Sequence, residues 1–217
     1  METRDGFIIG IHDYCDRWCE RCAFTHRCRQ FADERHLEFQ RGPTLAMTTG
    51  APGLGNVDEG GVEPEAVSDP RFDADARVLQ ARVHAVTCRL RDWTLSAPPT
   101  ADPRTRDACE VLNYYWLVAS AKLFRALSNA RRLDDGRATD ADGSAKVVLV
   151  ALERLEEAWL RLAESGRVAV DEAESGFRDL ATAKAHLERR FPHARAFVRP
   201  GLDEPVAVAM LEWQERG

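Results

Sequence analysis

Val111-Leu-Asn-Tyr-Tyr-Trp-Leu-Val-Ala-Ser-Ala-Lys-Leu-Phe-Arg-Ala-Leu127 is the most apolar run in the chain. It far exceeds the roughly four to eight residues of a buried strand. Its apolar side chains lie almost all round a helical wheel, which is the pattern of a helix covered on every side. The reading predicts a central helix from Arg106 to about Leu133 on which the others pack.

The flanks follow the same period. Upstream, Leu79, Val83, Val86, Leu90 and Trp93 form one stripe, predicting a helix from Asp73 to Thr94 that ends in a turn through Pro98, Pro99 and Pro103. Downstream, Asp134 to Gly143 reads as a polar connection, with Ser144 as N-cap of a helix carrying Val147, Val148, Leu152, Leu155, Trp159 and Leu162 as far as Glu164. Gly166 stops it. A further helix from Val170 to Phe191 ends at Pro192, and Arg199-Pro200-Gly201 turns the chain toward a last short helix from Pro205 to Trp213. No stretch has a strong strand pattern. The expected fold is all-α: a bundle of four or five main helices preceded by a cysteine-rich helical segment. The divisions are 1–41 for that segment, 42–72 for a Gly-, Pro- and acid-rich connector, and 73–217 for the bundle.

At 217 residues the chain is long enough for one sizeable core. Its net charge of −6 offers nothing global to a phosphate backbone or an anionic membrane, so nucleic acid is not favoured as a partner. No apolar run approaches the roughly 20 residues that cross a bilayer. The N-terminus also lacks a signal-peptide pattern, so the expected place is the cytoplasm. Thiols stay reduced there, and a tight cysteine cluster then points to a metal rather than to disulfides.

Four of the six cysteines supply that cluster: Cys15, Cys19, Cys22 and Cys28, spaced Cys-x3-Cys-x2-Cys-x5-Cys. The first three fall at i, i+4 and i+7, which on a helix aligns three sulfurs on one face. A break near Ala23 to His26 then sends Cys28 elsewhere, with Thr25 as N-cap of a second helix through Phe31, Leu37 and Phe39. A single zinc with Zn–S bonds of about 2.3 Å draws its sulfurs together. Helical neighbours have Cβ atoms about 5–6 Å apart, which suits a cuboidal cluster whose irons each take one thiolate. The expected cofactor is therefore a [4Fe-4S] cluster on Cys15, Cys19, Cys22 and Cys28, with structural zinc as the alternative and His12 or His26 as a substitute ligand.

The Cys-x2-Cys-x5-Cys part of this pattern, at Cys19, Cys22 and Cys28, resembles the iron-sulfur loop of endonuclease III-like DNA glycosylases, and Arg21, Arg27 and Arg29 match the basic residues of that loop. The first spacing departs from that family. No helix-hairpin-helix glycines with a catalytic Lys and Asp are found. The resemblance implies a similar way of holding a cluster and no glycosylase activity. Cys15, Cys19 and Cys22 also match the spacing of radical S-adenosylmethionine enzymes over eight residues, without the strands of that fold.

Other motifs fall away on inspection. The glycines between Gly42 and Arg71 are followed by no Gly-Lys-Ser/Thr, so they are no phosphate loop. No Glu-x-x-His occurs, which removes a carboxylate di-metal bundle. His84 and Cys88 form an i, i+4 pair that no further ligand completes. Lys184, between Leu180 and Leu187, and Lys122, near Tyr115, sit on apolar stripes, where a lysine must pair, shift its pKa or reach outward. They mark a candidate internal polar pocket lined by Lys122, Lys184 and Tyr115.

The function expected from these readings is redox transfer or sensing by a cluster-bearing helical protein that meets a protein or redox partner. A zinc-stabilised interaction module is the second reading, and an enzyme using the lysine pocket is the third. Reaction, substrate and oligomeric state are not written in the sequence.

Overall fold

The computed structural model describes residues 2–41, 72–131 and 135–203. The connector at 42–71 and the expected last helix at 205–213 lie outside the described residues. The chain divides into two compact units, one containing 2–41 with 198–203, the other containing 72–131 with 135–197. The described part of the second unit starts at residue 72, and residues 198–203 group with the N-terminal unit.

The larger unit is the all-α bundle. Its helices are α2 (Ala74–Ser96), α3 (Pro103–Ala130), α4 (Asp135–Glu164) and α5 (Val170–Arg190). Extensive contacts run α2 to α3, α3 to α4, α4 to α5, and α5 back to α2, closing a ring of four. The side chains at its centre include Leu79, Val83, Leu112, Leu123, Leu152 and Trp159, all essentially without solvent exposure.

The helix ends are written in local chemistry. Asp73 accepts the Ala76 N–H at 2.8 Å and caps α2. Asp102 accepts the Thr105 N–H at 3.0 Å and caps α3, whose first residue is Pro103. That proline opens the helix rather than only closing the turn before it. At the end of α4, Gly166 N–H bonds the Ala163 carbonyl and Arg167 N–H bonds that of Leu162, with Gly166 at φ +69. This is the Schellman arrangement, and its left-handed residue favours glycine. Asp171 and Glu172 in the first turn of α5, and Arg189 and Arg190 in its last, complement the helix dipole.

Two expectations need correction here. The polar connection at 134–143 is helical from Asp135, and Ser144 is a buried residue inside α4 rather than its cap. Small residues Ala141, Gly143, Ser144 and Ala145 are buried there, and their size lets α4 approach its neighbours closely. Arg125 of α3 grips Asp140 at 2.6 Å and Asn129 bonds the same carboxylate. Tertiary contacts thus override the poor helix propensity of Gly143 and its neighbours. The second correction is that α3 is not sheathed all round, because Trp116, Leu117 and Val118 are half-buried and Phe124 is exposed. In the ring each helix has two main neighbours and an outer face.

The smaller unit contains elements the sequence reading did not expect. Thr3–Arg4 (β1) and Phe7–Ile8 (β2) form an antiparallel hairpin, with Thr3 opposite Ile8. Asp5 and Gly6 both have positive φ, as a two-residue hairpin turn requires. One longer helix, α1 (Arg29–Arg41), follows the cysteines. Gly201 has φ +72, and a Cβ there would lie 2.9 Å from Ile8, so the 198–203 turn seats directly on the hairpin.

Candidate functional site

The segment that carries the four cysteines is not the expected helix. It consists of turns and two single-turn 3-10 helices, Cys19–Arg21 and Thr25–Arg27, so Cys15, Cys19 and Cys22 do not share a helical face. The reason is local. Arg17 adopts φ +67, a left-handed conformation that stops a right-handed helix. The Asp16 carboxylate accepts the Trp18 N–H at 3.2 Å, drawing a backbone donor out of any helical ladder. Thr25 begins the second short turn, and α1 starts later. The Cys28 carbonyl accepts the Ala32 N–H at 3.1 Å, which puts Cys28 in the N-cap position of α1.

All six cysteines are free thiols of intermediate burial. Cys15 donates weakly to the His12 carbonyl at 3.5 Å. The Cys22 sulfur accepts the Phe24 N–H at 3.4 Å. Burial pushes the Cys19 thiol up to about 11, with Cys15, Glu34 and Cys22 adding to the rise and Arg17 opposing it. Cys15 and Cys22 are thus electrostatic neighbours of Cys19, and Cys28 sits at the start of α1. Among the described residues, no three His, Cys, Asp or Glu side chains are gathered closely enough to grip a metal ion as they stand. The preference for a cuboidal cluster drawn from helical sulfur spacing loses its premise with the helix.

Charged and aromatic groups surround the cysteines. The Arg21 guanidinium stacks over Trp18 at 4.0 Å. Arg17 donates to Glu34 at 3.0 Å, and Gln30 donates to the same carboxylate oxygen at 2.8 Å. Glu34 and Gln30 were not among the sequence candidates. Cysteine spacing carries no signal for them, since they act from the next helix. His12 is turned to Asp13 at 3.4 Å.

The lysine candidates are placed differently. Lys184 on α5 pairs with Glu156 on α4 at 2.5 Å, a salt bridge between two helices of the bundle. Tyr115 is buried with its ring edge-on to Tyr114. Lys122 is half-buried on α3. Two clefts lie at other positions in the bundle. One, of about 750 Å³, is lined by Asp102, Arg104, Asp107, Arg161 and Glu164, and one of about 300 Å³ by Arg82, Arg89, Asp179 and Thr182. Neither is lined by Lys122, Lys184 or Tyr115. His84 and Cys88 touch at 3.5 Å, and burial raises the Cys88 thiol above its ordinary value.

No described helix is long and apolar enough to cross a membrane. Comparison of the chain with family models, with curated proteins and with solved structures gives no match.

Proposed function

We propose that Cys15, Cys19, Cys22 and Cys28 bind a thiolate-ligated metal centre, a [4Fe-4S] cluster, and that the protein serves in electron transfer or sensing with a protein partner. The observation that carries this reading is the condition of the unit around the cysteines. Among the described residues of 2–41, Ile8 and Ile11 are the only buried side chains, and no described side chain of α1 is buried. So small an apolar core rarely holds a unit together without disulfides or a metal. None of the four cysteines is in a disulfide, which leaves their sulfurs available to a metal. The Cys-x2-Cys-x5-Cys spacing, similar to the iron-sulfur loop of endonuclease III-like glycosylases, favours the cluster. When bound, the cluster supplies one-electron chemistry. The chain supplies four thiolates, the Phe24 N–H on Cys22 and the Trp18–Arg21 stack as cover.

A second reading, structural zinc in an interaction module, is favoured by the turn-rich backbone, because sulfurs on turns are free to close to the distances one tetrahedral ion requires. Purification without oxygen, followed by iron, sulfide and zinc analysis and an absorption spectrum, separates the two. A brown protein absorbing near 400 nm, with about four irons and four sulfides per chain, is expected for a cluster of this type. A colourless protein with one zinc per chain moves the assignment to the interaction module. A protein holding neither metal overturns both.

A further inference from the structure

Resting on the metal reading of the four cysteines, a deeper inference concerns what holds their loop in place. Arg17 lies between Cys15 and Cys19 with φ +67, and a non-glycine residue keeps that conformation only where its surroundings hold it. What holds it is visible. Its Nη2 donates to Glu34 Oε1 at 3.0 Å, across seventeen residues of chain, and Gln30, one turn earlier on α1, donates to the same oxygen at 2.8 Å. Gln30 therefore fixes the rotamer of the carboxylate that receives Arg17. Helix α1 is the one whose N-cap is Cys28, and Glu34 is close enough to Cys19 to act on its charge. This contact ties the backbone between the first two cysteines to the helix that begins at the fourth. The Arg29–Asp33 pair, at 2.9 Å, differs: both partners lie on α1, so it fastens nothing to the loop.

We propose that Arg17, Glu34 and Gln30 are positioning residues that clasp the 15–22 loop onto α1 and thereby set how long a bound metal is retained. The clasp pre-arranges the thiolates, so its loss speeds release by letting one sulfur swing away before the others let go. The two charges act as a unit, and removing both does no more than removing one.

The test uses the full chain, loaded without oxygen with ferrous iron and sulfide, and in a parallel sample with zinc alone. Release to excess chelator is then followed by absorbance. R17A and E34A are expected to release metal about tenfold faster than wild type, the lower end of what outer-sphere partners contribute. The double variant should match the singles, the reversed pair R17E/E34R should recover most of the retention, and D33A should behave as wild type. Recovery by the reversed pair is the readout that loss of a merely structural side chain does not give. E34Q, which keeps the shape of the side chain without its charge, replaces E34A if truncation unfolds α1, and it should also release faster than wild type. Wild-type retention in both R17A and the Glu34 variant overturns the clasp while leaving the metal reading intact. Failure of the wild-type chain to take up either metal overturns both.

Discussion

The bundle excludes Leu79, Val83, Leu112, Leu152, Trp159 and Leu180 from solvent, whereas the N-terminal unit has only Ile8 and Ile11, each 2% exposed, as buried large apolar side chains among its described residues. Each fully buried side chain of this kind contributes about 1.5–3 kcal/mol. The four-helix ring therefore has ample material to oppose the entropy of ordering its chain. The described residues of the N-terminal unit do not, and what they carry instead is thiols, turns and ion pairs. If the proposed metal centre is the cross-link of the N-terminal unit, one region is organised by burial and the other by that cross-link, so the two should respond to different perturbations.

The largest effect expected on the bundle comes from Trp159. Its indole N–H donates to the Ala173 carbonyl at 3.2 Å, and its ring stands edge-on to Trp93 at 5.4 Å. Trp159→Ala leaves a cavity and should cost about 3–5 kcal/mol in denaturant unfolding. Metal content of the N-terminal unit should stay unchanged. Loss of metal together with bundle stability would show that the two regions are not independently organised.

A pair of glycines sharpens the contrast. Gly166 and Gly201 have nearly the same φ, +69 and +72, but a Cβ at Gly166 meets open space while one at Gly201 meets Ile8 at 2.9 Å. Gly166→Ala should cost about 1 kcal/mol, from backbone strain alone. Gly201→Ala adds crowding against one of the two buried isoleucines, and should loosen the hairpin by about 1–3 kcal/mol more. Protection of the 2–9 amides in hydrogen exchange reads this out, and equal effects from the two substitutions would remove the contrast.

A smaller effect is expected at Asp73. The Ala76 N–H, and then the Arg190 guanidinium, hold its carboxyl below the ordinary value of 3.8. A depressed carboxyl contributes stability that is present above its unfolded pKa and is lost as the pH falls through the folded value. Asp73→Ala should therefore cost about 1 kcal/mol near neutral pH through loss of the cap. The penalty should fade as the pH falls below the unfolded value of about 3.9 and on through the lower folded value, where the wild-type carboxyl takes up its proton. A penalty independent of pH would mean that the carboxylate charge plays no part.

The bundle was readable from the sequence because its information is local and periodic. Gly166 and Pro192 mark helix ends, and the apolar stripes give the inner faces, whereas Asp102 with Pro103, which open α3, were read only as part of the turn before it. The first turns of α4 were not readable, since Gly136, Gly143 and Ser144 favour a loop until Arg125 and Asn129 of α3 hold Asp140. The hairpin carried a signal that went unused, Asp5-Gly6 between short apolar and polar runs. In the cysteine segment the periodicity itself misled. Spacings of i, i+4 and i+7 fit a helix, but the same sulfurs sit on turns because Asp16 and Arg17 redirect the backbone. The clasp through Glu34 depends on a contact across seventeen residues, and no spacing rule reaches that far.

The claim that a thiolate-bound metal, rather than an apolar core, organises the N-terminal unit is tested most directly by hydrogen exchange on the full chain, metal-loaded and then stripped by chelator. Removal of the metal should abolish amide protection in 2–41 and leave protection in 72–131 and 135–197 as it was. Unchanged protection in 2–41 after complete removal of metal would contradict the claim.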